Sequence, residues 1–178
     1  MLTHALEENT ELRPLEPWQA EEFAAHVDRV RDDLLPWIPF ARKVVDVESA
    51  RAFLQSYADR QAADRGRIYG IHADGEMVGG VLFRVFEPSD GVCEVGVWLA
   101  PEVRGRGLVT TAVRHMIDWA MNVRGMARVE WRCDPANANS RAAAKRIGFT
   151  HEATLRSAWM LDGERRDEEI WVLLKDDA

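Results

Sequence analysis

Val92-Cys-Glu-Val-Gly-Val-Trp-Leu99, then Pro101-Glu-Val-Arg-Gly-Arg-Gly107, then Leu108 to about Val123, then Ala127-Arg-Val-Glu-Trp-Arg-Cys133: this run sets the topology. Its first and last pieces read as strands, and the second is a basic loop with two glycines. In the third, Val109, Ala112, Val113, Met116, Ala120 and Val123 recur at helical spacing, while Arg114, His115, Asp118 and Asn122 form the wet face. A strand–helix–strand crossover makes the two strands parallel neighbours.

Upstream, Arg67–His72 and Met77–Phe86 flank Ala73-Asp-Gly-Glu76, a hairpin turn centred on Asp-Gly. With the strand Val92–Leu99, reached through the turn Pro88–Gly91, they should form an antiparallel meander. Earlier still, Glu11–Glu16 reads as a short strand. Trp18 to about Leu35 is a helix with Phe23, Val27 and Val30 on one face, ended by the apolar loop Pro36-Trp-Ile-Pro39. Val47 to about Arg65 is a second helix, with Ala50, Phe53, Leu54 and Tyr57 at helical spacing. Downstream, a short helix from about Ser140 stops at Gly148, and the last strands, Phe149 to about Met160 and Glu168–Leu174, flank the turn at Asp162-Gly163. The expected class is α+β, a single domain over 1–178 around one mixed, mostly antiparallel sheet.

The 178 residues suit one domain with a substantial core. A net charge of −7 argues against wrapping nucleic acid, whose binding needs dense cationic contacts. No apolar run is long enough to span a membrane. Met1–Glu8 lacks the basic-then-apolar plan of a signal peptide, so a cytoplasmic location is expected. Cys93 and Cys133 form no metal-spaced pair and read as free thiols. The five histidines are scattered, without spacing that suggests a metal site or a triad.

Within this acidic chain, Arg104-Gly-Arg-Gly-Leu108 gathers positive charge between a strand and a helix start. Helix N-termini expose unpaired N–H groups, and glycines let that backbone approach a phosphate. An ordinary exposed turn with two arginines is the competing reading. A dinucleotide fingerprint is excluded because Leu108-Val-Thr110 supplies no third glycine. A P-loop is excluded because no Gly-Lys-Ser/Thr follows. His151-Glu-Ala-Thr-Leu155 is not a zinc motif, and no Gly-x-Ser-x-Gly occurs.

The loop resembles the Arg/Gln-x-x-Gly-x-Gly/Ala motif of GNAT acetyltransferases, with Arg104 first, Gly107 fourth and Val109 as the departure. Asn137-Ala-Asn-Ser140, followed by Arg141–Ile147 and Gly148-Phe149, resembles the RimJ/RimL-like branch, the ribosomal-protein N-acetyltransferases, closest to those acting on an N-terminal serine. Glu94-Val-Gly-Val-Trp-Leu99 and Leu35-Pro-Trp-Ile-Pro39 are similar to that branch's strand and tryptophan-bearing substrate loop. The resemblance implies a GNAT fold, with helices on both faces and a central parallel pair that splays at its C-terminal ends. It implies acetyl-coenzyme A as donor and no metal. The pantetheine arm would pair with backbone around Trp98 and Leu99. The pyrophosphate would rest on amides of Arg104, Gly105, Arg106, Gly107, Leu108, Val109 and Thr110. Asn137 would bond the pantetheine, and Lys145 or Arg146 would approach the nucleotide phosphate. The resemblance is compatible with a homodimer.

Transfer to an amine needs the neutral amine, and a free α-amino group is largely protonated at neutral pH. Glu94 is the candidate base. It shares a strand face with Gly96, which would leave room, and with Trp98, which could form an apolar wall. A solvated or salt-bridged strand Glu is the competing reading. An N–H from 97–99 would meet the oxyanion. Ser140 occupies the family position for protonating the thiolate, or else is simply a helix N-cap. Cys133 stands where this branch can carry cysteine near the thiol of coenzyme A, or is a packed strand thiol. Trp37 and Phe40 are either core or substrate-site wall. Three functions follow: acetylation of a protein N-terminus, acetylation of a small amine, or a coenzyme A sensor without turnover.

Overall fold

A computed structural model describes residues 3–7 and 9–177. The readings of Met1–Glu8 and of the full 1–178 extent therefore lie partly outside the described residues. Among these, the strands are β1 (His4–Glu7), β2 (Thr10–Pro14), β3 (Arg67–Ala73), β4 (Glu76–Glu87), β5 (Val92–Leu99), β6 (Arg128–Cys133), β7 (Thr150–Leu161) and β8 (Glu164–Leu174). The α-helices are α1 (Ala20–Leu34), α2 (Phe40–Lys43), α3 (Val47–Ala62), α4 (Leu108–Asp118) and α5 (Ala138–Ile147). One sheet runs in the order β1-β2-β3-β4-β5-β6-β8-β7, and β5–β6 is its parallel pair.

The hairpin turn between β3 and β4 forms as the Asp-Gly pair predicts, with Asp74 at φ +52 and Gly75 at φ +85. Several boundaries differ from expectation. β1 and α2 have no clear sequence signal, each being only four residues long. The first helix begins as a 3-10 turn, Pro17–Gln19, because Glu16 and Gln19 close a reciprocal capping box around it. The helix after the basic loop widens at Asp118 into a π turn, Trp119–Val123. Trp119 packs on Phe83 and Phe86, and the guanidinium groups of Arg67 and Arg124 lie 4.8 and 5.2 Å from its ring. The extra residue in that turn rotates Val123 out of the expected stripe, leaving it 67% exposed. β8 starts at Glu164, four residues before the expected Glu168.

α1 and α3 cover one face, burying Phe23, Val27, Val30 and Leu54 against the β2–β5 region. α4 and α5 cover the other, burying Ala112, Val113, Met116 and Ala144 with Val95, Val129 and Trp131. Each fully buried Val or Phe of this kind contributes about 1.5–3 kcal/mol relative to exposure.

The feature that positions the site is a fork. β5 pairs with β6 only over Val92–Val95 against Arg128–Trp131. Beyond that, Gly96–Leu99 keep β4 as their partner and Arg132–Cys133 keep β8. The splay expected of the parallel pair is therefore present, and Gly96–Leu99 carry an edge inside the sheet.

Candidate active site

The basic loop between β5 and α4 has the backbone shape that its glycines allow. Gly105 and Gly107 lie at φ +82 and +83, and Gly107 is the N-cap of α4. A Cβ at either would meet nothing within 4 Å, so conformation and not crowding selects glycine there. The first bond from the cap is Thr111 N–H to Gly107 C=O at 3.1 Å, leaving the amides of Leu108–Thr110 directed out of the helix end. Three cations approach this end. Arg104 is exposed and lies 3.6 Å from Asp33 of α1, and Arg106 is exposed. Arg146 reaches over from α5 to donate to Thr110 Oγ1 at 3.2 Å. Lys145 is exposed beside it, Leu108 is buried, and Val109 packs partly against the core. This cradle fits a pyrophosphate.

At the fork, Glu94 and Trp98 lie on the α1/α3 face. Glu94 is buried, and its carboxylate accepts from Arg84 Nε and Nη2, both at 2.5 Å. Arg84 reaches it because a bulge in β4 between Phe83 and Val85 breaks the regular register opposite Glu94. Arg132 Nε is 3.7 Å from the same carboxylate. The space expected beside Gly96 is occupied by Leu82, whose Cδ1 would lie 3.1 Å from an added Cβ. Trp98 turns its ring into the core, where the indole N–H donates to His26 Nε2 at 3.0 Å.

On the opposite face, Trp131 is the last β6 residue paired with β5, and its indole N–H donates to Ser140 Oγ at 2.9 Å. Asn137, not Ser140, is the N-cap of α5: its Oδ1 accepts the Ser140 N–H at 3.0 Å. The serine hydroxyl is thereby left facing the Cys133 thiol, whose pKa burial pushes up to about 11 against the Ser140 hydrogen bond. Carboxylate and hydroxyl thus flank the fork from opposite faces, Glu94 standing one residue before the Val95–Trp131 pair whose indole holds Ser140.

The profile of the acetyltransferase (GNAT) domain matches residues 9–150. The chain belongs to the GNAT acetyltransferase family. It is 29% identical over 180 residues to the putative ribosomal N-acetyltransferase YdaF of Bacillus subtilis, covering 98% of this chain and 96% of that one. It is 25% identical to the ribosomal-protein-serine acetyltransferase of Escherichia coli, over 80% and 78% of the two chains. Among solved structures it resembles RimL, a ribosomal L7/L12 α-N-protein acetyltransferase in complex with coenzyme A joined to one of its cysteines by a disulfide. The TM-score is 0.91 at 22% identity, covering 99% of each chain. As a GNAT N-acetyltransferase, the protein takes its acetyl group from acetyl-coenzyme A.

The acetyltransferase has a second region, reached from α2. Phe40 is half-buried and meets Trp98 edge-on at 5.2 Å, with Phe53 at 5.1 Å. Trp37 is half-buried and lies outside that cluster. Arg42 Nε and Nη2 donate to both carboxylate oxygens of Asp162 at 2.8 and 2.6 Å, tying α2 to the β7–β8 turn. Sequence reading missed Arg84, Arg42 with Asp162, and His26. Each acts through a partner distant in the chain or through a bulge, and neither leaves a local pattern. Among the described residues, no group of three His, Cys, Asp or Glu side chains is arranged to hold a metal ion, and no helix is long and apolar enough to cross a membrane.

Proposed function

We propose that this GNAT enzyme acetylates the N-terminal α-amine of a protein, a ribosomal protein with a small first residue being the best candidate. The observation that carries the reading is the fork beyond Val95 and Trp131, with Glu94 on one face and Ser140 on the other. A donor and an acceptor entering from opposite faces of a sheet can meet only where the strands part. The relatives named as ribosomal acetyltransferases support the choice of acceptor.

In this reading the unpaired edge at Trp98 and Leu99 seats the pantetheine arm. The Arg104 N–H, expected among the pyrophosphate donors, is already given to Pro101 C=O at 3.2 Å; amides from Gly105 to Thr110 take the pyrophosphate, with the side chains of Arg104, Arg106, Lys145 and Arg146 supplying charge. The side-chain amide of Asn137 reaches the pantetheine. Bound acetyl-coenzyme A supplies an activated thioester. Glu94, directly or through water, takes the proton that the acceptor ammonium must lose before the neutral amine attacks, while Arg84 keeps the carboxylate aimed. Ser140 gives a proton or a hydrogen bond to the departing thiolate. A backbone N–H from 97–99 stabilises the oxyanion. Trp37 and Phe40 line the acceptor side. The same reading puts the enzyme in the cytoplasm, without nucleic acid or membrane as partner, and is compatible with a homodimer.

The test incubates the enzyme and labelled acetyl-coenzyme A with a ribosomal-protein extract and, separately, with polyamines and aminoglycosides. Mass spectrometry should find label on one protein N-terminus. Label only on small amines sinks the protein-acceptor reading, and no label on either with intact coenzyme A binding favours a sensor.

A further inference from the structure

His26 lies in α1, is 3% exposed, and has no assigned role in the chemistry above. Both its ring nitrogens are engaged. Nε2 accepts from the indole N–H of Trp98, which can only donate, so the proton sits on Nδ1. Nδ1 then donates to Met77 C=O at 3.1 Å. Arg29 Nη2 donates to the same carbonyl at 2.8 Å. Its 3.4 Å approach to Nδ1 brings two donors together and is a contact, not a bond.

The partner of this histidine is the residue whose backbone forms the interior edge. Gly96–Leu99 have lost β6 and keep only their ladder to β4. That remaining ladder is soft, because Leu99 and Trp98 pair with Gly79 and Gly80. The two glycines are there for shape. A Cβ on Gly80 would fall 2.1 Å from the Trp98 ring, and one on Gly79 would fall 2.4 Å from the Trp98 carbonyl oxygen. The ring therefore packs against bare backbone, and its one polar atom points at His26.

Further along the same helix, Arg29 lies 3.8 Å from Glu102 and Asp33 lies 3.6 Å from Arg104. Residues 26, 29 and 33 of α1 thus touch residues 98, 102 and 104 in order, one after another along the cofactor-facing segment. The two outer contacts are exposed ion pairs, which water screens. The buried histidine–indole bond is the one with leverage, since breaking it strands a polar group in the core.

We propose that His26 is a positioning residue for the donor site: by anchoring the Trp98 indole to α1 it fixes the interior edge Gly96–Leu99 in the geometry that receives the pantetheine arm. This rests on the reading that the edge seats that arm. It predicts that the histidine acts on donor affinity through tryptophan alone, which packing by itself would not require.

The experiment is a double-mutant cycle read by calorimetric titration with coenzyme A at pH 8, using full-length wild type, His26→Leu, Trp98→Phe, both together, and His26→Gln. His26→Leu and Trp98→Phe should each weaken coenzyme A binding by about tenfold, and the double variant should be no weaker than the weaker single. His26→Gln, which can accept from the indole and donate to Met77, should restore affinity to within about threefold of wild type. KM for acetyl-coenzyme A should rise in step with Kd, while kcat at saturating donor falls by less than about threefold. Unchanged affinity in His26→Leu, or single effects that multiply in the double, overturns the proposal. If His26→Leu does not fold, Trp98→Phe decides: wild-type affinity in that variant overturns it too. A wild-type chain that binds no coenzyme A overturns the donor-site reading and this proposal with it.

Discussion

The carboxylate of Glu94 and the guanidinium of Arg84 form a two-pronged pair, each oxygen accepting one N–H at 2.5 Å. The pair is asymmetric: the side chain of Glu94 is 9% exposed and that of Arg84 is 53% exposed. Removing the arginine leaves a buried carboxylate short of partners, whereas removing the charge of the glutamate leaves an arginine that water can solvate. Arg84→Ala should therefore cost about 1–3 kcal/mol of stability, and Glu94→Gln less. Glu94→Gln should instead lower kcat by about 10²-fold with little change in coenzyme A affinity. Urea unfolding and steady-state kinetics of both variants check this. A Glu94→Gln enzyme with wild-type kcat removes Glu94 from the chemistry.

Ser140→Ala removes the acceptor for the Trp131 indole N–H and the hydroxyl facing Cys133. Stability should fall by about 1–3 kcal/mol. Single-turnover acetyl transfer should slow by about tenfold or more, since hydrogen bonding to the leaving thiolate is lost. Equal single-turnover rates in wild type and variant would show that Ser140 only supports Trp131.

Burial, reinforced by Arg29, holds the His26 imidazole at about 4, against an ordinary value of 6.5. His72 acts in the same direction as Arg29, and Glu102 opposes them. Between those values the unfolded chain binds a proton that the folded chain refuses, so stability falls as pH drops from about 6.5 to about 4. The window corresponds to about 3 kcal/mol. Urea unfolding at several pH values should show this loss in wild type and a smaller one in His26→Gln. Parallel pH profiles for the two proteins would rule the histidine out as the source.

Arg42→Ala cuts the tie between α2 and the β7–β8 turn. Because Asp162 is largely exposed, the stability change should stay below about 1 kcal/mol. KM for the acceptor should change more than KM for acetyl-coenzyme A, since Phe40 shares the short helix with Arg42. A shift confined to the donor KM would contradict the placement of the acceptor beside α2.

Much of the fold was readable because its signals are local. The Asp74-Gly75 turn, the alternation in β5, the glycine cap at Gly107 and the glycine stop at Gly148 each need only a few neighbouring residues. The order strand–loop–helix–strand then dictates the parallel pair. The π turn escaped because its cause is tertiary: Trp119 is held by Phe83, Phe86 and two arginines from other elements. The site was readable to the same extent. The loop at Arg104–Gly107 announces itself in sequence, and so does the strand parity of Glu94 and Trp98. What the carboxylate touches does not, since it depends on a bulge one strand away. The His26–Trp98 bond joins residues 72 apart and has no motif.

The fork has a consequence beyond catalysis. The ladder between β5 and β6, four residue pairs long, is the one seam joining β1–β5 to β6–β8–β7 among the described strands. On the proposed seating, the acyl carrier fills the opening next to that seam as a removable strand would, and binding it adds to folding free energy by mass action, about 2.7 kcal/mol at a hundredfold excess over Kd. The lifetime of this protein in a cell is then tied to the supply of its acyl carrier: starvation for the donor would thin the enzyme population through unfolding and proteolysis as well as idle it.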